Sequence, residues 1–101
     1  MDMQKVAELR KKASTLPMEP GVYLMRDRRG EIIYVGKAKK LKNRVTSYFR
    51  GVERHLPKVY RMVEMVQDFD YIVTDSEFEA LVLECSLIKL HSPCLLYTSP
   101  S

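Results

Sequence analysis

Residues 21–36 read GVYLMRDRRGEIIYVG, two apolar and aromatic runs separated by a polar turn at 27–30. This pattern predicts two antiparallel strands, at 21–26 and 31–36, joined by a four-residue loop. Counting back from the loop places Tyr23 directly opposite Tyr34, with both rings on one face of the hairpin. Such an aromatic pair either stabilises a sheet or belongs to a site, and the hairpin alone leaves both interpretations open.

Further helices and one further strand are indicated by the spacing of apolar residues. Helical spacing predicts helices at 3–14, 40–49 and 57–67. The segment FDYIVT at 69–74 alternates and is rich in β-branched and aromatic residues, which predicts a third strand.

A last helix is expected to begin after an N-cap at Asp75 or Ser76. We expect its buried face to consist of Phe78, Leu81, Val82, Cys85 and Ile88. Glu84 stands out, because it is the only acid in the otherwise nearly apolar run ALVLECSLIKL at 80–90. A buried, unpaired carboxylate costs several kcal/mol. Glu84 must therefore lie at an exposed edge, pair with a cation or bind a metal.

Charge is distributed unevenly along the 101 residues, whose net charge is +4. Between residues 37 and 61 nine lysines and arginines accompany one acid, whereas between 62 and 90 seven acids accompany one lysine. We therefore expect one domain with a basic face and an acidic face. Two interpretations are open for Lys37, Lys40 and Arg44. These side chains either bind phosphate groups or form a solvated basic edge.

Several classes of protein are disfavoured by the same sequence. No apolar run approaches the roughly 18 residues of a membrane helix, and the first residues lack the apolar core of a signal peptide. We therefore expect a cytoplasmic protein without membrane contact. Cys85 and Cys94 do not make a disulfide framework, and together with His55 and His91 they lack the spacing of a zinc site.

Several motifs taken together resemble those of the GIY-YIG endonuclease family, and more closely its UvrC-like branch, which acts in bacterial nucleotide-excision repair. The resemblance extends over about residues 16–93. It implies an α+β fold, a small three-stranded antiparallel sheet flanked by helices, with Gly21 and Gly36 as structural motif residues. The matching segments are Pro20-Gly21-Val22-Tyr23, Ile33-Tyr34-Val35-Gly36-Lys37-Ala38, Arg44-Val45, Ser47-Tyr48-Phe49, Glu79-Ala80-Leu81 and Leu83-Glu84.

The resemblance also implies one catalytic site, in which Glu84 binds a single divalent metal, Mg²⁺ or Mn²⁺. Two tyrosines would flank the scissile phosphate, and one would help to deprotonate the attacking water. Tyrosine has a reference pKa of about 10, so a base near neutral pH needs nearby positive charge. The implied catalytic residues are Tyr23, Tyr34, Lys37, Arg44, Tyr48 and Glu84. The implied DNA-binding residues are Lys37, Lys39, Lys40, Lys42 and Arg44.

The implied function is a metal-dependent DNA endonuclease that cuts damaged double-stranded DNA on the 3′ side of a lesion. It would act with the remaining domains of a longer chain and with a helicase-like, UvrB-like loading partner. The alternative is a catalytically inactive DNA-binding module that uses the basic helix; an RNA-binding protein or a homing-type nuclease domain is more distant. Metal binding at Glu84 separates the first two.

The domain is expected to occupy residues 1–91. Residues 92–101, which read SPCLLYTSPS, are expected to form an irregular tail. An asparagine that the family usually carries after Pro93 is replaced by Cys94-Leu95-Leu96. Either that residue is missing or the tail is not native.

Overall fold

The computed structural model describes residues 1–91, and the predicted tail at 92–101 lies outside the described residues. The three strands form one antiparallel sheet in the order β2-β1-β3, which confirms the expected α+β fold. No helix within residues 1–91 is long and apolar enough to cross a membrane. The elements are α1 (Met3–Ala13), β1 (Gly21–Arg26), β2 (Ile32–Ala38), α2 (Leu41–Tyr48), a 3₁₀ turn (Val52–Arg54), α3 (Pro57–Met65), β3 (Asp68–Val73) and α4 (Glu77–His91).

The register of the β1–β2 hairpin differs from the predicted one. Tyr23 pairs with Gly36, and Tyr34 pairs with Met25, so the direct Tyr23–Tyr34 pairing was wrong. The connecting turn holds one residue more than predicted, and a β-bulge beside Met25 shifts the register by another. Because side chains alternate with a period of two, the combined shift leaves both tyrosines on the predicted common face.

Two glycines allow close approaches that any Cβ would block. A Cβ on Gly36 would collide with the Tyr23 ring, which lies across it in the neighbouring strand. A Cβ on Gly21 would meet the backbone carbonyl of Ile72 and would lie 2.6 Å from Leu41 Cδ1. These glycines therefore let the Tyr23 ring and α2 pack tightly on the sheet.

The start of α2 is held by the segment that precedes β1. The backbone N–H groups of Leu41 and Lys42 donate to the carbonyls of Glu19 (2.9 Å) and Pro17 (3.2 Å). First-turn N–H groups have no partner within their own helix, so these bonds replace a side-chain cap, which Lys40 does not supply. They position Arg44, one turn later, beside the hairpin.

The buried face of α4 is not the predicted one. The helix packs on β1 and β2 through Ala80, Leu83, Leu87 and Ile88, which meet the apolar side chains of the sheet. Of the predicted face only Ile88 takes part, whereas Phe78, Leu81, Val82 and Cys85 are exposed. An almost uniformly apolar helix has no single apolar stripe, so the periodicity could not select the face that the sheet covers.

We expect Gly36→Ala to lower the free energy of unfolding by about 1–3 kcal/mol, the usual cost of overpacking a core. The reason is that the new methyl group collides with the Tyr23 ring. Urea denaturation measures this loss. Gly30→Asn is the control, because Gly30 has open space around it and asparagine tolerates its positive φ of 81°. A Gly36→Ala variant as stable as the parent would contradict this account.

Candidate active site

Three tyrosines meet at the end of the hairpin where α2 packs against it. The ring centroids lie 6.0 Å apart for Tyr23 and Tyr34, 5.6 Å for Tyr23 and Tyr48, and 6.5 Å for Tyr34 and Tyr48. The hydroxyls of Tyr23 and Tyr48 form a hydrogen bond of 2.5 Å. The Tyr34 hydroxyl interacts by hydrogen bonding with both. The three phenols, which we call the tyrosine cluster, therefore share one hydrogen-bond network.

Two phenols of this cluster, those of Tyr23 and Tyr34, hold their protons tightly. Burial, followed by the neighbouring phenols Tyr48 and Tyr34, raises the pKa of Tyr23 well above 10. Burial and Tyr48 likewise raise the pKa of Tyr34. Arg44 lowers the pKa of Tyr23, but this effect is the smallest of those acting on it. The positive charge of Arg44 is thus outweighed by burial, and the phenols of Tyr23 and Tyr34 are protonated at neutral pH.

Glu84 lies on the inward face of α4, with only 7% of its surface exposed. Its Oε2 atom is buried and has no hydrogen-bond partner within the described part of the chain. Burial raises the pKa of Glu84, while the charge and the backbone N–H of Lys37 lower it. Glu84 in turn raises the pKa of Tyr34. The carboxylate therefore lies near both the tyrosine cluster and Lys37, not at an exposed edge.

The donor set around Glu84 suits a hard, largely hydrated cation. Residues 1–91 contain no group of three or more histidine, cysteine, aspartate or glutamate side chains placed to hold a metal. A cation such as Mg²⁺ is commonly bound by one or two carboxylates and keeps several waters or phosphate oxygens as ligands. The unpartnered Oε2 fits one such carboxylate ligand.

A basic edge runs along α2 next to the tyrosine cluster. Lys40 and Arg44 form no ion pair with any residue in 1–91, whereas Lys39 lies 3.8 Å from Glu77. Lys42 is exposed but does not line the pocket on this edge, because it projects from another side of the helix. The residues that line this open pocket are Lys39, Lys40, Asn43, Arg44 and Ser47.

Asn43 and Ser47 were not singled out as site residues from the sequence. Both follow Lys40 at helical spacing, three and seven residues later, which places them on the same face of α2. That spacing is the signal that could have identified them. The pocket therefore combines cations with neutral hydrogen-bonding side chains, a set suited to a phosphate backbone.

A family model and the related proteins both point to the same protein family. The family model described as the UvrC-like GIY-YIG domain matches residues 19–95. The UvrABC system protein C of Caldanaerobacter subterraneus subsp. tengcongensis is 58% identical over 86 residues, covering 85% of this chain and 14% of that protein. The protein of the same name from Clostridium beijerinckii is 65% identical over 78 residues, covering 77% of this chain and 13% of that protein. The chain thus spans about one seventh of the length of these curated relatives.

A solved structure has the same fold. It is the GIY-YIG N-terminal endonuclease domain of UvrC from Thermotoga maritima bound to its catalytic divalent cation, magnesium. It superposes with a TM-score of 0.79 at 40% identity, covering 89% of this chain and 97% of that one. A tyrosine-to-phenylalanine variant of that domain, also bound to its catalytic divalent cation, gives a TM-score of 0.79 at 39% identity. The chain belongs to the family of UvrC-like GIY-YIG domains.

Proposed function

We propose that this domain is a metal-dependent DNA endonuclease that hydrolyses one phosphodiester on the 3′ side of a lesion during nucleotide-excision repair. The observation that carries the proposal is the buried Glu84, whose Oε2 has no hydrogen-bond partner among residues 1–91 and whose charge acts on Tyr34 of the tyrosine cluster. A buried carboxylate oxygen without a hydrogen-bond partner is costly, so the unpartnered Oε2 of Glu84 favours a function over a purely structural role. The name of the related Thermotoga maritima domain supports the same activity.

The basic edge would hold the scissile phosphate. Arg44 lowers the pKa of Tyr23, so its charge acts on the tyrosine cluster, and Arg44 also lines the α2 pocket. A guanidinium can bind two phosphate oxygens at once, whereas Lys40 and Lys37 supply point charges. Arg44 would thereby stabilise the negative charge that grows on the phosphorus centre as water adds.

The tyrosine cluster would orient the attacking water and carry away its proton. In the reaction the water oxygen bonds to phosphorus, the bond from phosphorus to the leaving sugar oxygen breaks, and that oxygen takes up a proton. Because burial raises the pKa of both Tyr23 and Tyr34, neither side chain is a phenolate that could act as the base at neutral pH. A hydroxyl of the network would instead accept the water proton while its own proton passes along the network towards the leaving sugar oxygen, which takes up one proton as the phosphorus–oxygen bond breaks.

Glu84 would hold the metal through its unpartnered Oε2. A bound divalent cation, Mg²⁺ or Mn²⁺, supplies Lewis-acid chemistry and positive charge next to the phosphate. The role of the chain is to keep the carboxylate buried and fixed on α4, with Lys37 beside it. That positive neighbour favours the ionised carboxylate that a metal ligand requires.

The full protein would act in the cytoplasm on damaged double-stranded DNA, with further domains of a longer chain and a helicase-like, UvrB-like loading partner. This part rests on the length and the name of the curated relatives. The competing proposal is an inactive DNA-binding module, which needs only the unpaired cations of α2. The two differ in whether the tyrosine hydroxyls affect cleavage.

In the full-length protein with its loading partner, we expect Tyr23→Phe or Tyr34→Phe to slow 3′ incision by about 10²–10⁴-fold, the usual value of proton-transfer assistance. Each change removes one hydroxyl of the network but keeps the ring that packs in the core. Single-turnover cleavage of a lesion-containing duplex measures the rate.

Tyr71→Phe is the matched control, since Tyr71 pairs with Tyr23 across the sheet but is 43% exposed. It should cut at the parental rate. If both Tyr23→Phe and Tyr34→Phe also cut at that rate, the tyrosines are structural and the proposed role of their hydroxyls in cleavage is wrong.

For the basic edge, we expect Lys40→Ala to reduce the slope of log K against log salt by about 0.9, the contribution of one neutralised phosphate. Fluorescence anisotropy with a labelled duplex at several salt concentrations gives this slope. Arg28→Ala is the control, because Arg28 lies in the turn at the opposite end of the hairpin. Equal slopes for the parent and Lys40→Ala would place the DNA on another surface.

A further inference from the structure

Helix α4 is apolar on two opposite sides, although the domain covers only one. Ala80, Leu83 and Leu87 project towards the sheet. Phe78, Leu81, Val82 and Cys85 follow one another at spacings of three, one and three residues, which places them on the other side of the helix. We call these four residues the outer face of α4.

The outer face is well exposed in the domain. Phe78 is 72% exposed, Leu81 42% and Val82 50%, and Cys85 is exposed and free. Ile72 of β3 adds to the uncovered apolar surface, because it is 41% exposed whereas its cross-strand neighbour Val22 is fully buried under α4. Scattered exposed apolar side chains are ordinary, but a contiguous stripe marks an interaction surface. A helix that is apolar all round is normally buried on all sides.

The charge around the outer face argues against DNA as its partner. Glu77 and Glu79 occupy the first turn of α4 on either side of Phe78, and Asp75 precedes them. These three acids lie at the start of the outer face, so a phosphate backbone would be repelled there. The complementary surface is an apolar protein surface with basic side chains at its rim.

The length of the relatives indicates where such a surface comes from. The curated relatives extend over about seven times the length that this chain covers. We propose that the outer face of α4 is the docking surface for a later part of the same long polypeptide, an apolar segment with basic residues at its rim. Docking there adds no cover over the tyrosine cluster, because Tyr23 and Val22, as successive strand residues, point to opposite faces of the sheet.

Cys85 provides a natural probe of this docking, since it lies within the outer face and is exposed in the domain. The experiment compares residues 1–91 alone with a full-length protein in which these residues replace the matching part of the Caldanaerobacter subterraneus relative. The domain has its own core, so it can be examined alone. Both proteins are treated with a maleimide, and the Cys85 peptide is quantified by mass spectrometry.

We expect Cys85 to react at least about tenfold more slowly in the full-length protein, because labelling then requires the docked surface to open. Phe78→Ser or Val82→Ser should restore fast labelling there without changing the melting temperature of the isolated domain. Leu56→Ser is the matched control, since Leu56 is 74% exposed, as apolar as Val82, and lies outside α4. This control should leave Cys85 protected.

Two results would overturn the proposal. Equal labelling rates in the two proteins would show that the outer face stays uncovered. Protection of Cys85 in the isolated domain that grows with protein concentration would assign the surface to a second copy of the domain.

Discussion

The contact between the Tyr23 ring and Gly36 is the constraint on which the rest of the structure depends. It requires a residue without Cβ in β2 and fixes which residues of the hairpin lie opposite each other. With the ring in this position, the Tyr23 hydroxyl reaches Tyr48 on α2, so the same contact couples the sheet to the helix that carries the basic edge. A slip of one residue would move Tyr23 or Tyr34 to the opposite face of the sheet and dissolve the tyrosine cluster.

The candidate site is assembled from groups that are individually unfavourable in a folded interior. Glu84 has a buried oxygen without a hydrogen-bond partner among residues 1–91, and burial raises the pKa of Glu84 and of Tyr23 and Tyr34. Such costs are typical of functional sites, where stability is lost for the sake of a preorganised arrangement. The surrounding hydrophobic core, which includes Met25, Phe49 and Phe69, offsets them.

Much of the fold could be predicted from the sequence, because helical spacing, alternation and turn residues are local signals. The common face of Tyr23 and Tyr34 and the unusual position of Glu84 were also recognisable. The register was not, since the apolar and turn pattern does not signal the extra loop residue or the β-bulge beside Met25. The prediction of the buried face of α4 was wrong for a related reason. A helix that is apolar on both sides does not encode which side meets the sheet. The roles of the site residues remain predictions.

The central claim is that Glu84 is placed to hold a divalent cation, and calorimetric titration of the domain with Mn²⁺ tests it most directly. The account predicts one binding site in the parent protein and none in Glu84→Gln, which keeps the size of the side chain but removes its charge. Glu77→Gln, on the same helix but solvent-exposed, should bind Mn²⁺ as the parent does. Equal binding by the parent and Glu84→Gln would contradict the account.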